Sequence, residues 1–184
     1  MIRTYFAATA TSLLIALTAQ PLSAETVAHP KESPSFTVEV PEGWAFRQNG
    51  DGPLMMQNAD ASVVAVFDGA IKGVKNLATA KEAVRKQTKL TAETTGYTDL
   101  KEITSVRKMK LNEQIDGAGA QYHAKLPSGQ PVIYIVMMFT PDGKNYCSME
   151  FSIKADGLVP AAEKERAALI ASISAVKAED EADE

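Results

Sequence analysis

From Phe36 onward the chain alternates apolar and polar positions. Phe36, Val38 and Val40 are separated by Thr37 and Glu39, the two-residue period of a half-buried strand. Similar runs predict strands near residues 36–40, 44–48, 54–58, 62–68, 102–111, 118–126, 130–140 and 144–154. Tight turns punctuate them. Val40-Pro41-Glu42-Gly43, Leu126-Pro127-Ser128-Gly129 and Thr140-Pro141-Asp142-Gly143 each place proline second and glycine fourth, and Asn49-Gly50-Asp51-Gly52 is a hairpin signal. The run from Val132 to Phe139 is apolar at every position, so it needs cover on both faces and reads as a central strand.

Two stretches change to helical spacing. Leu77, Ala80, Val84 and Leu90 predict a helix over 76–94, with Thr79 and Glu82 as a capping box. Pro160 opens a second, with Ala162, Leu169, Ile170 and Ile173 forming its apolar stripe to about residue 176. The order is strands, helix, strands, helix. It predicts an α+β domain with a single antiparallel β-sheet covered by helices.

The ends differ from this domain. Arg3 precedes an uncharged run from Phe6 to Ala19, and Pro21-Leu22-Ser23-Ala24 follows with small residues. That is the pattern of a secretory signal peptide, residues 1–24, cleaved near Ala24; the apolar run is too short to span a bilayer, which takes ~20 residues. Residues 25–35, with Pro30 and Pro34, read as a flexible leader. Residues 36–176 form the domain, and residues 177–184 an acidic, disordered tail. The expected location is the periplasm, or the medium after secretion. The one cysteine, Cys147, is far from the cleavage point, so lipid attachment there is not expected.

The formal net charge is −4, which argues against bulk attraction to nucleic acid. Its distribution is more informative. Residues 72–110 carry Lys72, Lys75, Lys81, Arg85, Lys86, Lys89, Lys101, Arg107, Lys108 and Lys110 against Glu82, Glu93, Asp99 and Glu102. Lys81, Arg85 and Lys89 are spaced by four and share one helix face. That face is either merely solvated or a docking surface for an acidic protein partner, with weak contact to a membrane surface as an alternative.

The segment Phe36-Thr37-Val38-Glu39-Val40-Pro41-Glu42-Gly43-Trp44 resembles the opening strand and Pro-x-Gly-Trp turn of PsbP-like proteins. That group includes the extrinsic PsbP subunit of photosystem II, bacterial DcrB-like periplasmic proteins and a Ran-binding nuclear import factor. The order of elements over 36–176 is similar too. The resemblance implies an α/β/α sandwich and a non-enzymatic accessory or binding role.

Candidate chemistry is sparse. Cys147 alternates in step with Met149, Phe151 and Ile153, which predicts a small inert core residue. His123 falls in step with Gln121 and Lys125 on a polar strand face, and no Gly-x-Ser-x-Gly elbow accompanies it. Asp51, Asp60 and Asp68 read as scattered acids in turns and strand ends. Gly117-Ala118-Gly119 reads as a hairpin turn. Neither metal nor cofactor is expected, since no ligand motif is present. The expected function is a soluble exported accessory or protein-binding domain. The alternatives are a small-ligand carrier with an apolar cleft under the first helix, or an enzyme using His123.

Overall fold

The computed structural model describes residues 25–155 and 160–176. The signal-peptide and acidic-tail readings therefore lie outside the described residues. Along the chain come β1 (Glu25–His29), β2 (Phe36–Val40), β3 (Ala45–Gln48), β4 (Leu54–Gln57), β5 (Val63–Asp68), α1 (Leu77–Thr95), β6 (Thr98–Lys110), β7 (Asp116–Lys125), β8 (Pro131–Thr140), β9 (Cys147–Lys154), α2 (Pro160–Ala171) and β10 (Ser174–Ala175).

The expectation of a single sheet is corrected. β3-β4-β5-β9-β8-β7-β6 form one seven-stranded sheet, and β1-β2-β10 form a separate three-stranded one. Every pairing is antiparallel. The flexible-leader reading of 25–35 is corrected with it, because Glu25–His29 pairs residue for residue with Phe36–Val40 and buries Val27 and His29. The chain then leaves the small sheet at Pro41. Trp44 N–H donates to Pro41 C=O at 3.1 Å, and Gly43 has φ 78°, a left-handed conformation that favours glycine. The turn thus frames residues 41–44, one position later than the sequence pattern indicated.

The large sheet is buried on both sides, and the two faces can be read along β8. Ile133, Ile135, Met137 and Phe139 meet Phe36, Val38, Val40, Trp44 and the α2 residues Ala162, Leu169 and Ile170. Val132, Tyr134, Val136 and Met138 meet Ala80 and Val84 of α1. The layers are therefore α1, the seven-stranded sheet, and the small sheet with α2. Phe36 and Phe139 rings pack edge to face at 5.3 Å across the second interface.

Two further readings change. Gly117 and Gly119 lie inside β7, not in a turn; a Cβ on Gly117 would strike the Met138 carbonyl oxygen, and one on Gly119 the side chains of Met109 and Met137. The second helix stops at Ala171, where Ser172 Oγ donates to Leu169 C=O at 2.8 Å, and the chain returns to the small sheet as β10.

Candidate partner-binding face

α1 is fixed by both ends and by its inner face. Asn76 is the N-cap: its side chain accepts from Thr79 N–H at 3.0 Å, and Thr79 Oγ1 accepts from Asn76 N–H at 3.1 Å. The predicted box of Thr79 and Glu82 is thus replaced by one of Asn76 and Thr79, a turn earlier. Gly96, at φ 72°, closes the other end. Ala80, Val84, Thr88 and Thr91 are buried, and the helix packs over β6, β7 and β8.

Lys81 is half-buried, while Arg85 and Lys89 are exposed. Lys89 lies 3.8 Å from Glu93, an exposed pair of little energetic weight. Among the described residues, Lys81, Arg85 and neighbouring Lys86 make no salt bridge within 4.0 Å.

Beneath α1 lies a polar network that the sequence reading missed. Glu150 on β9 accepts from Gln87 Nε2 at 2.6 Å, Thr91 Oγ1 at 2.9 Å and Tyr134 Oη at 2.5 Å. Its carboxylate ties the helix to β8 and β9 by charge-assisted hydrogen bonds. Burial, with Glu150 alongside, drives the Tyr134 phenol well above its ordinary range. Asp68, at the end of β5, accepts from Ser148 Oγ at 3.2 Å. Burial raises its carboxyl to about 6, and the negative Glu150 adds to that rise. One signal could have found this network. Ser148, Glu150 and Ser152 alternate with a core-facing row, and Thr88 and Thr91 sit on the apolar face of a helix.

His123 is exposed, opposite Lys101 and Ile133 in register. Pairing puts it on the face of β7 away from α1, so the sheet separates it from Asp68 and Glu150. Cys147 is fully buried with Met149, Phe151 and Ile153, and burial pushes its thiol up to about 12. The space under α1 is filled by Ala80, Val84 and Tyr134 instead of forming an apolar cleft. An open cleft of 650 Å³ lies instead beside α2, with Glu42, Trp44, Asp60, Lys154 and Glu165 in its lining. Lys154 Nζ there donates to Asp60 C=O at 2.9 Å.

A helix on one side of an antiparallel sheet, with a small sheet and a second helix on the other, is the PsbP-like fold. The chain is similar to the solution structure of cyanobacterial PsbP (CyanoP) from Synechocystis sp. PCC 6803, with a TM-score of 0.57 and 11% identity, covering 84% of this chain and 93% of that one. It is also similar to the crystal structure of the Ran-binding protein Mog1p from Saccharomyces cerevisiae, with a TM-score of 0.51 and 12% identity, covering 85% and 97%. No family model and no curated protein sequence matches it.

Proposed function

We propose that the chain is an exported, non-enzymatic accessory protein that binds a protein partner through the outer face of α1. Lys81, Arg85 and Lys89 meet an acidic surface of that partner. The observation that carries this reading is the row of bases on α1: among the described residues Lys81 and Arg85 make no salt bridge, and Lys89 makes only an exposed one with Glu93. Three like charges at successive i, i+4 positions repel mildly, so folding gives no reason to place them there. Mog1p, which has the same fold, is a Ran-binding protein, and that supports a protein as the partner. The charged start, apolar run and small residues of 1–24 support export to the periplasm or beyond.

The test has two parts. The mature chain recovered from the periplasmic fraction should have an intact mass beginning at Glu25 or within a few residues. The triple variant Lys81→Glu, Arg85→Glu, Lys89→Glu should melt within a few degrees of the wild type, because Arg85 and Lys89 are exposed, half-buried Lys81 makes no salt bridge among the described residues, and each such charge contributes below ~1 kcal/mol. The same variant should lose the partner that the wild type retains on an affinity resin, and added salt should release that partner from the wild type. Capture that survives charge reversal would make the stripe a solvated face. Retention of a full-length chain in the inner membrane would refute export as a soluble protein.

A further inference from the structure

The large sheet is wider than the one helix that covers it. α1 packs over β6, β7 and β8, and no described helix or strand packs as extensively on that face over β3, β4 and β5. Register shows which side chains stand there. Arg47, Met55, Val66 and Glu150 form one row across the sheet, and Ala45, Gln57, Val64 and Ser152 form the next. Asp68 and Ser148 lie just beyond. Ala45, Met55, Val64 and Val66 are half-buried, whereas Leu54, Met56, Ala65 and Phe67 on the opposite face are wholly buried. The result is an apolar shelf, with α1 as its inner wall and Gln87 reaching Glu150 at the join.

Electrostatics at the inner margin are unbalanced. Glu150 already accepts from Gln87, Thr91 and Tyr134. Asp68 accepts only from Ser148, stands beside the negative Glu150, and has no base within ion-pair distance among the described residues. A carboxylate accepts about four hydrogen bonds, and among the described residues only Ser148 Oγ donates to Asp68. Arg47, at the outer end of the row, is engaged with Asn49.

We infer that this shelf is a second binding surface, which receives an amphipathic helix of a protein partner carrying a lysine or arginine against Asp68. Width and charge together select that occupant. Three strands about 4.8 Å apart present a strip close to the ~10 Å diameter of one helix. Aliphatic side chains at helical spacing cover Met55, Val64 and Val66 as Ala80 and Val84 cover the other half of the face. A cation at the inner end supplies donors to Asp68 and offsets its repulsion with Glu150. The shelf is independent of the basic stripe, because Arg85 and Lys89 are turned about half-way round α1 from Gln87.

The probe is a synthetic amphipathic helix of leucine and alanine with one arginine at the end of its apolar stripe, compared with a twin carrying glutamine there. Both are titrated into the isotope-labelled mature chain, with methyl signals of Ala45, Met55, Val64 and Val66 as the readout. The arginine peptide should shift these signals saturably, and the glutamine twin should bind about tenfold more weakly, the scale of a lost charge-assisted hydrogen bond. Asp68→Asn should abolish the difference between the peptides. The α1 triple reversal should leave both titrations unchanged, which separates this surface from the proposed docking face. Equal binding of the two peptides to the wild type, or shifts that neither saturate nor localise to the shelf, would overturn the inference. So would a dimer in sedimentation that Val66→Glu dissolves, because the shelf would then belong to a second copy of the chain.

Discussion

Trp44→Ala is expected to lower the unfolding free energy by about 3–5 kcal/mol, the cost of emptying a large aromatic site in a core. Trp44 is 3% exposed and belongs to the core between the two sheets. It comes directly after the Gly43 turn, where the chain crosses from β2 to β3, so its ring packs where the small sheet joins the large one. A domain of this size holds only about 5–15 kcal/mol in total, so the loss is a large fraction of it. Urea denaturation at constant m-value would measure it. A change below about 0.5 kcal/mol, the usual surface value, would contradict the burial of Trp44.

Stability should also show two opposed titrations between about pH 4 and 6.5. Burial lowers the His29 imidazole from 6.5 to about 4, against a smaller raising influence of Asp51. Gln48 Nε2 lies 3.1 Å from its Nδ1, while His29 Nε2 has no partner among the described residues. The folded chain therefore favours neutral His29, and this contribution is present above pH 6.5 and lost as pH falls through 4. Asp68 acts in the other sense. Its folded value near 6, above 3.8, gives a contribution that is present below pH 3.8 and lost as pH rises through 6. For Asp68 the change is about 3 kcal/mol, and His29 acts in the opposite direction. Because the two contributions oppose each other, the wild type should vary less across this window than either single variant. Asp68→Asn should become less stable as pH is lowered from 6.5 to 4, and His29→Phe less stable as pH is raised from 4 to 6. Denaturation curves at stepped pH would measure both, and parallel profiles for the two variants would contradict the assignment.

Local pattern carried far where local forces decide. The alternation of Phe36, Val38 and Val40 locates β2, and the wholly apolar run after Pro131 locates β8 as an interior strand. The i, i+4 spacing of Lys81, Arg85 and Lys89 was enough to place them on one side of α1. What was not legible depends on distant partners. β1 offers only Val27 and His29 as inward residues, and its place in a sheet comes from pairing with β2. β10 is two residues long and continues the apolar spacing of α2, so it read as helix. Which sheet β2 joins is decided by the turn after it, and two antiparallel sheets or one give the same alternation. The Asp68 and Glu150 pair was hidden for a related reason. Ser148, Glu150 and Ser152 have the period of a solvated face, and α1, from a remote part of the chain, covers their inner side.

The central claim is that the outer face of α1 is where a partner binds. Photo-crosslinking in cells expressing the full-length chain tests it most directly, with a photoreactive residue in place of Arg85 and, as a control, in place of exposed Glu39 on the small sheet. One discrete protein adduct is expected from position 85, suppressed by Lys81→Glu with Lys89→Glu, and none from position 39. Adducts of equal yield at both positions, or an adduct at 85 indifferent to charge reversal, would contradict it.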